Sequence, residues 1–137
     1  MNAFQPSRLL NRSYSLKSGR IFSSLFQAGA TTKAFPVIVR SQWCDLPQPV
    51  AIQLGVSVGK RRWPRAVDRN RIKRRIREAW RLEKSSWEAE VHQANRQLAV
   101  VLIFVGTEIP EVSTLRGALR KGMGKLLAQA RMENPTP

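Results

Sequence analysis

A dense cluster of basic side chains lies in the middle of the chain. Between Lys60 and Arg81 stand 11 of the 24 lysine and arginine residues, with only two acidic residues among them. Most are arginines, whose planar guanidinium group can donate two parallel hydrogen bonds to a phosphate and can stack on a base. The cluster therefore predicts binding to a polyanion, and the phosphate backbone of a nucleic acid is the first candidate.

Autonomous hydrolysis of a phosphodiester would need convergent carboxylates for metal ions or a histidine acid–base pair. The nine acidic residues show no paired spacing in a recognisable motif, and His92 is the only histidine. Cys44 is the only cysteine, which excludes an internal disulfide and a multi-cysteine zinc site. We expect no catalytic residue, no metal site and no cofactor bound by the protein alone.

The apolar residues within the basic cluster predict that a helix positions it. Ile72, Ile76, Ala79 and Trp80 fall within about 100° of a helical wheel, and basic side chains occupy most of the remainder. Arg69, Lys73 and Arg77 are four apart and form a ladder with steps of about 6 Å, similar to the phosphate spacing along one strand. A merely solvated charged face is the alternative, and mutual repulsion of the cations disfavours it.

The remaining elements are predicted from periodicity. Residues 18–29 indicate a short helix, with Ser18 as its N-cap and Gly29 as its end. Residues 35–43 and 50–59 indicate two strands that form an antiparallel hairpin. Pro64 suits the first turn of the basic helix, and residues 83–97 are polar and partly helical.

A continuous apolar run at residues 98–105 fits a buried central strand, and residues 110–131 fit an amphipathic helix. The inner face of that helix is predicted to comprise Val112, Leu115, Leu119, Met123, Leu126 and Leu127. We predict an α/β fold, of the α+β sandwich type, with helices on one sheet. Its parts are a flexible basic arm at residues 1–15, a single domain at 16–131, to which the resemblance described below assigns RNA binding, and a flexible tail at 132–137.

The whole chain of 137 residues carries a formal net charge of +15, which favours a polyanionic partner. An anionic membrane would also attract it, but the apolar stripe of the basic helix is small for a membrane-surface helix. The longest apolar run is too short to span a bilayer, and the first residues lack the pattern of a signal peptide. We expect a cytoplasmic protein with no membrane partner.

Two segments carry a resemblance to a known family: residues 55–61, Gly-Val-Ser-Val-Gly-Lys-Arg, and residues 66–78, Ala-Val-Asp-Arg-Asn-Arg-Ile-Lys-Arg-Arg-Ile-Arg-Glu. They strongly resemble the protein subunit of bacterial ribonuclease P, and the match extends loosely over residues 14–130. The resemblance implies a single central mixed sheet, like domain 2 of a ribosomal small-subunit protein family. It also implies the element order α-β-β-(β)-α-β-α and a left-handed βαβ crossover.

The resemblance further implies that the protein assists a ribozyme. In such a complex the RNA subunit, with bound Mg²⁺, hydrolyses the phosphodiester at the 5′ end of mature tRNA. The protein binds that catalytic RNA and the single-stranded 5′ leader of precursor tRNA. A ribosomal or duplex-DNA-binding protein is the alternative, but no turn-helix unit precedes residue 66 to dock a recognition helix, so no DNA partner is expected.

Site residues follow from the same resemblance. The residues that would contact the catalytic RNA are Lys60, Arg61, Arg65, Arg69, Asn70, Arg71, Lys73, Arg74 and Arg77. Those that would line the leader cleft are Phe22, Phe26, Phe35 and Ile38, although phenylalanines at helical spacing are also typical of a core. Two features depart from the family: the loop at residues 61–65 is longer and lacks a glycine, and Ile38 stands where a tyrosine is frequent.

Overall fold

The computed structural model describes residues 14–133. The predicted arm and tail lie outside these residues, except for Tyr14, Ser15, Met132 and Glu133. Within the described part there is one four-stranded sheet with three helices. The elements are α1 (Gly19–Ala28), β1 (Ala30–Ala34), β2 (Val37–Trp43), β3 (Ile52–Val58), α2 (Ala66–Gln93), β4 (Leu98–Phe104) and α3 (Val112–Glu133).

Helix α1 begins and ends where the sequence predicts. The Ser18 hydroxyl accepts a hydrogen bond from the backbone N–H of Ile21 at 3.3 Å, which satisfies one of the free donors of the first turn. The N–H of Gly29 donates to the Leu25 carbonyl oxygen, and the chain then extends directly into β1. The expected order allowed two or three strands between the first two helices, and the structure has three. The additional strand is β1, which pairs with β2 across a turn at Phe35 and Pro36.

The predicted hairpin between the second and third strands is wrong. The sheet order is β1-β2-β4-β3, so β4 lies between β2, to which it is antiparallel, and β3, to which it is parallel. The reason is hydrophobic: six of the seven residues of β4 are buried, because in the centre of the sheet this most apolar strand is covered by α2 and α3 on one face and by α1 on the other. The parallel pair makes β3, α2 and β4 one βαβ unit, whose left-handedness stays a prediction.

Helices α2 and α3 pack side by side on one face of the sheet, and α1 packs on the other. The predicted stripe of Ile72, Ile76, Ala79 and Trp80 is buried. Helix α2 follows Pro64 as predicted, but its first residue is Ala66, so Pro64 lies before the first turn. The helix is continuous for 28 residues to Gln93 and includes most of the segment 83–97 that was predicted to be partly helical. The predicted inner face of α3 is confirmed by the buried side chains of Leu115, Leu119, Met123, Leu126 and Leu127.

A buried ion pair lies in the second half of α2. Lys84 is 0% exposed and Glu88 is 1% exposed, and the Lys84 Nζ atom lies 3.2 Å from Glu88 Oε1. Tyr14 covers the pair, with its ring centroid 3.9 Å from the ammonium nitrogen. Burial raises the pKa of Glu88, and the charge of Lys84 opposes that rise. Nothing in the local sequence distinguished these two residues from a solvated face.

In the part of the chain that the structure describes, no helix has the length and apolar character needed to cross a membrane.

Candidate nucleic-acid interface

The loop before α2, residues 59–65, is fixed to the connection between β4 and α3. The indole N–H of Trp63 donates to the Gly106 carbonyl oxygen at 3.4 Å, and its ring centroid lies 6.1 Å from that of Phe104. Arg62 donates to the Val105 carbonyl oxygen at 3.2 Å. The longer loop is therefore closed by Arg62 and Trp63, which act as structural residues here.

Arg69 reinforces the same loop from within α2. Its Nη1 atom donates to the carbonyl oxygens of Trp63 and Pro64, both at 2.8 Å. This guanidinium was predicted to contact RNA, and the structure adds an internal role that leaves its Nε and Nη2 groups without a hydrogen bond to described residues. The loop that it orders exposes Lys60, Arg61 and Arg65.

The outer side of α2 presents a cationic surface with few acidic neighbours. Its members, which we call the α2 surface, are Asn70, Arg71, Lys73, Arg74 and Arg77. All are exposed except the half-buried Lys73. Among the side chains that the structure describes, no acidic one forms a salt bridge with any of these cations; the two acidic residues in this part of α2 pair elsewhere, Asp68 with Arg65 and Glu78 with Arg81.

The predicted ladder of Arg69, Lys73 and Arg77 is therefore only partly available. Arg69 is engaged with the loop, Lys73 is half-buried, and Arg77 is exposed. The fully exposed row instead includes Asn70, Arg74 and Arg77, whose spacing of three and four residues also places them on one helix face. The basic face of α2 is therefore present as predicted, but its most exposed row comprises Asn70, Arg74 and Arg77 and not Arg69, Lys73 and Arg77.

A second candidate surface lies on the α1 side of the sheet. One row of paired residues crosses the strands there: Lys33, Ile38, Ile103 and Ser57. Lys33 is exposed and the other three are half-buried, so α1 leaves this row partly open. We call these four residues, together with Phe22 and Phe26, the open sheet face. Lys33, Ile103 and Ser57 were not predicted, because only the strand register brings them beside Ile38.

The three phenylalanines of the predicted leader cleft differ in their surroundings. Phe22 is half-buried and its ring packs on β3, where a Cβ atom added to Gly55 would lie 2.5 Å from its Cζ atom. Phe26 is 49% exposed, with its ring centroid 6.4 Å from that of Phe22. Phe35 is 74% exposed at the turn between β1 and β2. Phe22 thus shares in the core, whereas Phe26 and Phe35 offer free ring surface.

Arg40 positions the end of α1, and sequence reasoning missed it. Its Nε atom donates to the Leu25 carbonyl oxygen at 2.9 Å, and Nη2 donates to those of Phe26 and Gly29 at 3.2 and 3.3 Å. Its guanidinium carbon lies 6.0 Å from the centroid of the Phe26 ring. Because carbonyl groups at a helix end lack partners within the helix, Arg40 stabilises the turn that holds Phe26. An arginine within an apolar strand was the only signal for it.

Cys44 is half-buried, and burial raises the pKa of its thiol, with a smaller contribution from the charge of Asp45. The thiol is therefore protonated at neutral pH and is a poor nucleophile. Among the described residues no group of three or more histidine, cysteine and acidic side chains could hold a metal ion. The chemistry that these surfaces offer is the binding of phosphates and the stacking of bases.

Comparison with known proteins agrees with this geometry. The family model for ribonuclease P matches residues 10–127. The chain belongs to the ribonuclease P protein family. The ribonuclease P protein component of Porphyromonas gingivalis is 37% identical over 112 residues, covering 78% of this chain and 82% of the relative. That of Chlorobaculum tepidum is 35% identical over 115 residues, covering 77% and 75%.

Solved structures of the family share the fold. The ribonuclease P protein of Thermotoga maritima superimposes with a TM-score of 0.63 at 21% identity, covering 81% of this chain and 96% of that protein. The protein from Staphylococcus aureus gives a TM-score of 0.59 at 22% identity, covering 82% and 94%. Membership of the family makes the chain a protein component of ribonuclease P, an endoribonuclease of tRNA processing.

Proposed function

We propose that this protein binds the catalytic RNA of ribonuclease P and the 5′ leader of precursor tRNA, and so aids removal of the leader. The observation that carries the proposal is the α2 surface, where exposed cations have no acidic partner in the described part of the chain. Such a surface is repulsive unless a polyanion meets it. For a ribonuclease P protein, the expected polyanion is the catalytic RNA, because the two would form one complex.

In this proposal the α2 surface and the ordered loop divide the contacts to the catalytic RNA. Arg71, Lys73, Arg74 and Arg77 bind phosphates from a rigid helix, so little side-chain and backbone order has to be gained on binding. The loop supplies Lys60, Arg61 and Arg65, and the hydrogen bonds of Arg69 hold it in place. Asn70 can donate to and accept from base edges or sugars as well as phosphates.

The open sheet face is the proposed site of the leader. Single-stranded nucleic acid binds to exposed aromatic rings beside cations, because every base can stack without a demand on its sequence. Phe26 on this face and Phe35 at the adjoining turn between β1 and β2 provide the free rings, Phe22 and Ile38 provide the apolar floor, and Lys33 provides charge. Ile38 can pack against a base but cannot donate a hydrogen bond as a tyrosine would.

Magnesium belongs to the RNA subunit in this proposal. Carboxylates are the protein groups that suit Mg²⁺, and the two in the same part of α2, Asp68 and Glu78, each pair with an arginine. The described residues therefore do not fit a magnesium site on this surface. We assign no step of the hydrolysis to a side chain of this protein.

Reconstitution tests the proposal. The purified chain is mixed with a bacterial ribonuclease P RNA at low Mg²⁺, and 5′ cleavage of precursor tRNA is measured. We expect stimulation by the wild-type protein and its loss in the Arg71→Ala/Arg74→Ala variant. The matched control is Lys17→Ala/Arg96→Ala, which removes the same charge from exposed positions outside both surfaces. A wild-type protein that gives no stimulation would contradict the proposal.

A further inference from the structure

Helix α3 carries a second group of cations outside the α2 surface. Every charged residue between Val112 and Met132 is basic. They are Arg116, Arg120, Lys121, Lys125 and Arg131. Lys121 and Lys125 are exposed and one helical turn apart, and within the described chain neither forms a salt bridge. Arg131 pairs with Glu90 near the end of the helix, so the excess charge lies in the preceding part.

One carboxylate orders two of these arginines. Glu83 of α2 is 12% exposed; its Oε2 atom accepts from Arg116 Nε at 2.9 Å and its Oε1 atom accepts from Arg120 Nε. Hydrogen bonding from Arg120 is the largest of the effects that hold the pKa of Glu83 below its usual range. The side chains of Arg116 and Arg120 remain 37% and 59% exposed, and two cations on one anion leave a net positive charge.

This arrangement prepares the arginines for a further anion. Each guanidinium group has five N–H donors, and the contacts with Glu83 use only some of them. Because Glu83 already restricts both side chains, less conformational entropy is lost when a phosphate binds them. The pair therefore resembles a preformed phosphate-binding fork more than two solvated arginines.

The surface of α3 beside these cations includes two glycines, which have no side chains. Gly117 and Gly124 are exposed, seven residues apart on one face, and a Cβ atom added at either would meet nothing within 4 Å. Glycine destabilises a helix interior relative to alanine, and no packing in the described protein requires it at these positions. The glycines carry no proposal alone, but they let a bulky partner approach the cations closely.

We propose that this α3 surface, comprising Arg116, Arg120, Lys121 and Lys125, is a second contact for the catalytic RNA. Helices α2 and α3 run side by side on the same sheet face and are joined by Glu83 and by a hydrogen bond from Arg75 to the Pro110 carbonyl oxygen. One RNA could therefore span both surfaces. The inference rests on the proposed function, because it extends the same RNA-binding face.

Two other occupants fit less well. An anionic membrane would require apolar side chains next to the cations, and Met132 at the far end is the exposed large apolar residue of the described part of α3. An acidic protein could neutralise these cations, but its carboxylates would have to be spaced along the helix, because the cations form an extended row and not a compact patch. A phosphate backbone has that extended form.

The test compares three double variants in binding to a bacterial ribonuclease P RNA across a range of salt concentrations. They are Lys121→Ala/Lys125→Ala on the α3 surface, Arg71→Ala/Arg74→Ala on the α2 surface, and Lys17→Ala/Arg96→Ala as the charge-matched control. Each lost phosphate contact reduces the slope of log affinity against log salt by about 0.9. We expect the α3 variant to lose about two units of slope and on the order of tenfold in affinity.

The outcomes separate this inference from the proposed function. If the α3 variant behaves as the control does while the α2 variant loses affinity, the second contact does not exist and the proposed function stands. If the wild-type protein fails to bind the RNA, both are overturned. A slope loss confined to the α3 and α2 variants supports both.

Discussion

The buried pair of Lys84 and Glu88 allows a quantitative test of how the second half of α2 is held. Replacing one partner by methionine leaves the other charge inside the protein without its counter-ion. For pairs as deeply buried as this one, such a loss is expected to reduce the free energy of unfolding by about 3–5 kcal/mol. Domains of this size are stable by about 5–15 kcal/mol, so either single variant is expected to be marginally folded.

The double variant Lys84→Met/Glu88→Met should behave differently. Methionine has a similar length to both side chains and a high helix propensity, and no charge remains to be desolvated. Replacement of a whole buried ion pair by apolar residues is often neutral or stabilising, so we expect the double variant to lie within about 1 kcal/mol of the wild type. Urea unfolding followed by tryptophan fluorescence suits the measurement, because Trp80 and Trp87 lie in the same helix with ring centroids 5.0 Å apart.

The pH dependence gives an independent check. Because burial raises the folded-state pKa of Glu88, the folded protein holds that proton more tightly than the unfolded chain. The contribution of this group to stability is therefore fully present below the ordinary glutamate pKa of about 4.3, and it is lost as pH rises through the folded value. We expect the double variant to gain stability relative to the wild type as pH rises above the ordinary glutamate pKa and through the raised folded-state value.

Two results would refute the reasoning about this pair. Single variants that each lose less than about 1 kcal/mol would mean that water reaches the charges. A double variant whose loss equals the sum of the single losses would mean that the two residues are not energetically coupled.

The other predictions concern both candidate surfaces and the contact of Glu83 in α2 with Arg116 and Arg120 in α3. Phe26→Ala should weaken binding of precursor tRNA by about 1–3 kcal/mol, the value of one stacked base, and leave mature tRNA unaffected; equal losses for the two RNAs would contradict it. Arg69→Ala should lower the melting temperature because the loop loses two hydrogen bonds, whereas Arg71→Ala should leave the melting temperature unchanged and reduce the salt slope of RNA binding by about one. A thermal melt of each variant tests the first effect, RNA binding across salt concentrations tests the second, and equal melting temperatures of the two variants would contradict the structural role of Arg69. Glu83 has a lowered pKa, so its stabilisation is present above the ordinary glutamate range and is lost as pH falls through the folded value. Glu83→Gln should therefore be less stable than wild type at pH 7, and the difference should shrink as pH falls through the lowered folded-state pKa; a difference that does not change with pH would contradict that expectation.

Local periodicity predicted the helices well, because the buried residues of a helix recur every three or four positions and can be recognised within a short segment. Ile72, Ile76 and Trp80 illustrate this, since their spacing alone determined which side of α2 is covered. The strand order could not be derived in the same way. The choice between a local hairpin and insertion of β4 depends on which strand is covered on both faces, and that is a property of the whole sheet.

The role of a side chain was predictable only where it is exposed to solvent or contacts residues near it in sequence. Phe22 and Phe26 share a helix face, but only Phe22 packs against Gly55 of a distant strand and is half-buried, whereas Phe26 is exposed. The internal hydrogen bonds of Arg69 depend on the path of the loop, and the position of Lys84 depends on Tyr14, which precedes it by 70 residues. Sequence patterns therefore located the cationic face better than they assigned its individual members.

The central place of β4 has a consequence for how the chain is made. Strands β2 and β3 leave the ribosome before β4, yet within the described sheet each pairs with β4 and not with the other. Until residues 98–104 have emerged, the nascent chain has only the β1–β2 hairpin, and the basic α2 segment is already exposed without a sheet to pack on. Contacts so distant in sequence slow folding. The basic α2 segment therefore remains unpacked beside ribosomal RNA until β4 has been synthesised.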